Sequence, residues 1–62
     1  MKFFCTWGEG YVKQESRVLD SSEITPEYGW TDEYIHMLSM SKIGDIVDCS
    51  DPCGVLYVKR IE

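Results

Sequence analysis

Trp30-Thr31-Asp32-Glu33-Tyr34-Ile35-His36-Met37-Leu38-Ser39-Met40-Ser41-Lys42-Ile43-Gly44 is the stretch that decides the architecture of this chain. Thr31 suits an N-cap, because a threonine hydroxyl accepts a hydrogen bond from an unpaired amide of the first turn. Asp32 and Glu33 follow, where the positive end of the helix dipole favours acids. Trp30, Tyr34, Met37 and Leu38 then recur at helical spacing, and Ile35 broadens the stripe. Gly44 reads as the C′ residue, with Lys42 near the negative end of the dipole. The spacing predicts a helix over about 31–42. Three turns cannot stand alone in water, so the apolar stripe must lie on a sheet.

Outward from the helix, the sequence supplies that sheet. Lys2-Phe3-Phe4-Cys5-Thr6-Trp7 reads as a strand with Phe3, Cys5 and Trp7 on one face and Phe4 and Thr6 on the other. Gly8-Glu9-Gly10 reads as a turn. Tyr11 to about Leu19 reads as a second strand, and its polar middle marks it as an edge strand or a mobile ribbon. The stretch Asp20–Trp30 reads as connection, punctuated by Pro26 and Gly29. Beyond the helix, Asp45–Cys49 and Val55–Ile61 read as strands joined by the turn Ser50-Asp51-Pro52-Cys53-Gly54. So short a connection requires an antiparallel pair. The expected fold is α+β: ββαββ, a four-stranded antiparallel sheet with one helix on one face.

The 62 residues allow a single small domain, 1–62, with a thin core. Hydrophobic residues make up 44% of the chain and aromatics 13%, more than a disordered segment carries. No run approaches the ~18 uncharged apolar residues of a membrane span. Three cysteines, an odd number, argue for reduced thiols and a cytoplasmic setting rather than a disulfide framework.

Charge is distributed unevenly. The net charge is −5, and Asp20 to Asp51 holds eight acids (Asp20, Glu23, Glu27, Asp32, Glu33, Asp45, Asp48, Asp51) against one base, Lys42. Such a field repels nucleic acid and anionic membranes and attracts basic partners. Its plainest use is solubility. Its functional use is to present carboxylates, in place of nucleic-acid phosphates, to a basic groove. Glu27, Asp32 and Glu33 sit at the helix start. Asp45, Asp48 and Asp51 are expected at the opposite end, about 15 Å away at 1.5 Å per residue. Charge alone rarely gives affinity, so Tyr28 and Trp30, in the loop beside the acids, are the candidate hot spots, although Trp30 also suits a lid over the core. The candidate partner-binding residues are therefore Glu27, Tyr28, Trp30, Asp32, Glu33, Asp45, Asp48 and Asp51.

Other chemistries fit less well. Cys49-x-x-x-Cys53 has loose zinc spacing, but Cys5 and His36 are isolated and the second ligand pair is missing. A Cys49–Cys53 disulfide would be reduced in a cytosol. Cysteine with histidine also suggests a nucleophile and base. A domain this thin, however, has little room for the water-excluding cleft that catalysis requires. Asp45, Asp48 and Asp51 lack the glycine-containing loop of a calcium site, and alternation sends Asp45 and Asp48 to opposite faces. No cofactor or metal is expected.

Tyr28-Gly29-Trp30-Thr31-Asp32-Glu33-Tyr34-Ile35, Ser41-Lys42-Ile43-Gly44-Asp45-Ile46-Val47-Asp48 and Val55-Leu56-Tyr57-Val58-Lys59-Arg60-Ile61 together resemble small orphan proteins of tailed bacteriophages, over residues 28–61. The resemblance implies a viral origin and a host-cytoplasm setting, and transfers no catalytic residue. The expectation is an acidic, non-enzymatic protein that inhibits or redirects a host nucleic-acid-handling protein by mimicry. Its partner would be a basic host protein, with no direct nucleic acid and no membrane. The alternative is a structural or accessory protein that adds strand 1 or strand 2 to a partner's sheet, or forms a homodimer.

Overall fold

The computed structural model describes all 62 residues. Strands β1 (Lys2–Trp7) and β2 (Glu15–Asp20) are followed by two 3₁₀ turns, Ser21–Glu23 and Pro26–Tyr28. Helix α1 (Asp32–Ser39) and strands β3 (Ile46–Asp48) and β4 (Leu56–Arg60) complete the chain. The sheet order is β2-β1-β4-β3 and every pair is antiparallel. This is the expected ββαββ arrangement. No helix is long and apolar enough to cross a membrane.

The strands alternate as period two requires. Phe3, Cys5, Leu19, Leu56 and Val58 point to one face and are buried, with Leu38 of α1, Ile24 and Cys49 closing over them. Trp7, Tyr11, Trp30, Tyr34, Ile35 and Val47 pack around that cluster, half-buried. Eight buried apolar side chains, at roughly 1.5–3 kcal/mol each, make a small core. Against the conformational entropy of 62 residues, that leaves a margin in which single contacts matter.

β1 is an inner strand, paired with β2 on one side and β4 on the other. It has no free edge, so the expectation that strand 1 could extend a partner's sheet is corrected. β2 is an edge, as its polar middle implied, and β3 is the other.

The second strand starts at Glu15, not Tyr11. After Trp7 the chain stays paired with the last strand: Gly8 N donates to Val55 O (2.8 Å) and Val55 N donates to Glu9 O (2.8 Å). That pairing carries residues 8 and 9 away from β2. Gly10 then turns the chain at φ 101°, and Tyr11 drops toward the core while Val12 is fully exposed. The loop therefore runs from Gly8 to Gln14.

Thr31 caps α1 as expected, its hydroxyl accepting from Tyr34 N at 3.3 Å. The helix ends at Ser39, short of the expected 42. Serine hydroxyls compete for its last carbonyls: Ser39 Oγ donates to His36 O and Ser41 Oγ to Leu38 O, both at 2.6 Å. Arg60 Nη1 donates to Ser41 O, fixing the exit. Gly44 is thus not the C′ residue. It sits at φ 95° in a separate turn, closed by Asp45 N donating to Lys42 O (2.9 Å) and Lys42 N donating to Asp45 Oδ2 (2.9 Å). Met37 falls off the buried stripe and is exposed.

The sheet face opposite α1 is uncovered. Phe4, Val18, Ile46 and Tyr57 lie on it, 41%, 52%, 66% and 47% exposed, beside Lys59.

Candidate binding recess at the helix start

α1 and β3 decide where the acids go. α1 starts beside Trp7 and Leu56 and ends beside Arg60. β3 runs antiparallel to β4, so it returns toward the helix start. Asp45 accordingly lies at the far end of the helix, where Arg60 N donates to its carbonyl at 3.0 Å. Asp48 pairs with Tyr57 on the uncovered sheet face. Asp51 arrives back beside Thr31 and Tyr34. The expectation that Asp45, Asp48 and Asp51 share one end of the helix is therefore corrected: the hairpin direction separates them along the whole length of the sheet.

Three of these aspartates also shape the backbone. Asp45 Oδ2 holds the turn after α1. Asp48 Oδ1 accepts from Ser50 N at 2.9 Å. Asp51 Oδ1 accepts from Cys53 N (2.8 Å) and Gly54 N (3.2 Å), closing a turn whose main chain pairs Asp51 with Gly54. Hydrogen bonds from the Ser50 hydroxyl and amide hold the Asp48 carboxyl below its ordinary value, and Ser22 and Ser21 do the same for Asp20.

At the helix start the fold encloses a recess of about 230 Å³. Its wall carries five aromatic side chains from four parts of the chain: Trp7, Tyr11, Tyr28, Trp30 and Tyr34. Thr31, Asp51, Gly29, Cys49 and Leu56 complete it. Trp7 comes from the end of β1. Tyr28 and Trp30 are presented by the second 3₁₀ turn, where Tyr28 N (3.0 Å) and Trp30 N (3.3 Å) both donate to Thr25 O. Tyr34 stands in the first turn of α1, and its hydroxyl donates to Ser50 O at 3.1 Å. Tyr11 is held there by a close backbone approach. A Cβ on Gly10 would lie 2.6 Å from Cys53 O, and one on Gly54 would lie 2.7 Å from the Tyr11 ring.

One acidic side chain, Asp51, lines the recess. Burial raises the Tyr11 phenol above its ordinary value, with Asp51 adding to the effect. Burial also raises Tyr34, reinforced by Cys49, Glu33 and Asp51. A second groove adjoins it, lined by Trp7, Tyr28 and Trp30 again, together with Arg17, Leu19 and Glu23. There the Arg17 guanidinium lies over the Trp7 ring, 5.2 Å from its centroid, and its Nε is 3.2 Å from Glu15 Oε1.

Of the eight candidate residues, Tyr28, Trp30 and Asp51 share the recess, and Glu27, Asp32 and Glu33 flank it in sequence. Asp45 and Asp48 lie elsewhere. Sequence reasoning missed Trp7, Tyr11 and Tyr34 as site residues, treating them as core or strand positions. The legible signal was aromatic content, gathered in Trp7, Tyr11, Tyr28, Trp30 and Tyr34. Its convergence depends on the loop after β1, whose path the sequence pattern does not reveal.

Cys5 and Cys49 are buried and free, and Cys53 is exposed and free. Burial pushes the Cys5 and Cys49 thiols up to about 11, helped by each one's negative neighbours. His36 is exposed on α1. No group of three or more histidine, cysteine, aspartate or glutamate residues is placed to hold a metal ion. Compared with known proteins, the chain matches no family model, no curated protein and no solved structure.

Proposed function

We propose that this chain is a non-enzymatic binding protein, phage-encoded and acting in the host cytoplasm, that inhibits or redirects a host nucleic-acid-handling protein by engaging its basic groove. One observation carries the reading. Glu27, Asp32, Glu33, Asp45, Asp48 and Asp51 are all exposed, and none forms an ion pair. The three ion pairs of the molecule use only Glu15 and Glu62 as acids. No internal cation neutralises these carboxylates, although Asp45, Asp48 and Asp51 each also accept a backbone hydrogen bond in a turn, and a basic partner meets their charge. The contact centres on the helix start, where Glu27, Asp32, Glu33 and Asp51 accompany the aromatic recess that supplies buried area.

The test is affinity capture from a bacterial lysate. Raising salt from about 50 to about 500 mM shortens the Debye length from above about 10 Å to below about 5 Å and should release the partner. A Glu27/Asp32/Glu33→Lys variant should fail to capture it, and excess duplex DNA should compete it off. Equal capture by both proteins, or retention in the presence of DNA, would remove mimicry.

The uncovered sheet face favours a second reading, a structural protein acting by self-association. Phe4, Val18, Ile46 and Tyr57 are exposed apolar residues there, with Lys59 between Phe4 and Ile46 and Asp48 beside Tyr57. A concentration-dependent dimer in sedimentation, abolished by Phe4→Lys, would support this second reading; a monomer at every concentration would exclude it.

A further inference from the structure

We propose that the recess at the start of α1 receives the guanidinium of an arginine side chain, set against its indole and phenol rings and paired with the Asp51 carboxylate. The inference rests on the binding reading above for the source of that arginine, a basic partner protein.

Size limits the occupant. At about 230 Å³ the recess lies below the roughly 300–1,000 Å³ of sites for drug-sized ligands and cofactors, and suits a single side chain. Its lining decides the sign of charge. Aromatic faces attract cations through their quadrupoles, and tryptophan does so best. Two tryptophans and three tyrosines meet here, beside a carboxylate. Asp51 commits only Oδ1 to its turn, and no protein donor or cation reaches Oδ2. An anion would be repelled by that arrangement. A purely apolar group would leave the carboxylate without a partner while pressing it out of water.

Arginine fits better than lysine. A planar guanidinium can stack on a ring and still direct N–H groups at a carboxylate, whereas an ammonium is compact and strongly hydrated. The molecule already makes this arrangement once. Arg17 lies over Trp7 with Glu15 as its carboxylate, in the groove that shares Trp7, Tyr28 and Trp30 with the recess. The recess offers the same elements, rings and an acid. Tyr28, a lining residue that is 68% exposed, keeps most of its ring surface available to an entering side chain.

The experiment is an NMR titration of the whole chain with the blocked tripeptide Gly-Arg-Gly and with its citrulline counterpart, which keeps the shape and removes the charge. The arginine peptide should shift the indole N–H signals of Trp7 and Trp30 and the amides of Thr31 and Asp51. The citrulline peptide should bind roughly tenfold more weakly. Asp51→Asn should weaken arginine binding by a similar factor, since asparagine keeps the Oδ1 acceptor of the turn but loses the charge. Tyr28→Ala removes an exposed ring and provides a second variant should Asp51→Asn unfold. Equal binding of the two peptides, an unaffected Tyr28→Ala, or shifts confined to the Glu27, Asp32, Glu33 and Asp45 amides with both indoles unmoved would overturn the proposal. The titration needs no partner protein, so its outcome is separable from the capture experiment: a recess that binds arginine alongside DNA-insensitive capture would leave the recess and remove mimicry.

Discussion

The Tyr34 hydroxyl donates a hydrogen bond to the Ser50 carbonyl oxygen at 3.1 Å, tying the first turn of α1 to the hairpin that joins β3 and β4. This contact crosses from the helix layer to the sheet at the mouth of the aromatic recess. It holds Asp51 beside the helix start, one residue beyond Ser50.

Removing only that hydroxyl should separate its two effects. Tyr34→Phe keeps the ring against the core and deletes the donor. The expected result is a small fall in urea midpoint with an unchanged m-value, since the fold and its buried surface persist. Amide exchange at Asp51 and Gly54 should quicken more than exchange in β1. Uniform acceleration along the chain would show that the bond holds no local geometry.

Gly10→Ala should be far more damaging than its exposure suggests. The added methyl would meet Cys53 O and Gly54 Cα, each at 2.6 Å, and the residue must also hold φ 101°. Backbone atoms cannot move aside as a flexible side chain can. A loss of about 1–3 kcal/mol is expected from denaturant unfolding. Gly29→Ala provides the comparison, since its Cβ would meet nothing within 4 Å and only the backbone strain at φ 92° remains.

Alkylation should distinguish the three thiols. Cys53 is exposed, while Cys5 and Cys49 are buried with thiols raised to about 11, so at pH 7.5 they carry little of the reactive thiolate. Iodoacetamide should add once to the folded protein, at Cys53, and three times in denaturant. Mass spectrometry reads both, and Cys53→Ser should abolish the first. A second fast adduct on the folded protein would contradict the burial of Cys5 and Cys49.

Stability should decline at both pH extremes, for opposite reasons. Asp20 and Asp48 are held below the ordinary 3.8 by hydrogen bonds to their carboxylates. That contribution is complete above about pH 4 and is lost as pH falls through the lowered folded values. Cys5 and Cys49 are raised from 9.0 to about 11 by burial, and Tyr11 and Tyr34 are also raised. Their contribution is complete below about pH 9. It is lost as pH climbs toward 11, because the unfolded chain releases those protons first. Thermal melts from pH 2.5 to 11 should trace both declines. Cys49→Ala should shallow the alkaline side alone, and Asp20→Asn the acid side alone.

Local chemistry made the fold legible. Thr31 with Asp32 and Glu33 announced the helix start, and Phe3, Cys5 and Trp7 announced a strand with one buried face; both follow from neighbours within a few residues. What escaped was non-local. The helix stops at Ser39 because Ser39 and Ser41 turn their hydroxyls to its carbonyls and Arg60, far along the chain, takes the next one. Tyr11 leaves the strand because Glu9 pairs with Val55 and Gly10 nests against Gly54. The candidate site divided along the same line. Tyr28 and Trp30 were found beside acids that neighbour them in sequence. Asp51 was expected at the opposite end of the helix, because the direction in which β3 returns is a property of the whole sheet. Trp7, Tyr11 and Tyr34 could be recognised as its companions only once that direction was known.

The inner position of β1 also governs how the molecule must be made. Residues 2–7 have one partner strand close by in the chain, 15–20, and the other, 56–60, far along it. The sheet cannot zip up from one end: its middle closes only once that distant strand has docked, in a non-local step that must first meet the entropy of closing a long loop.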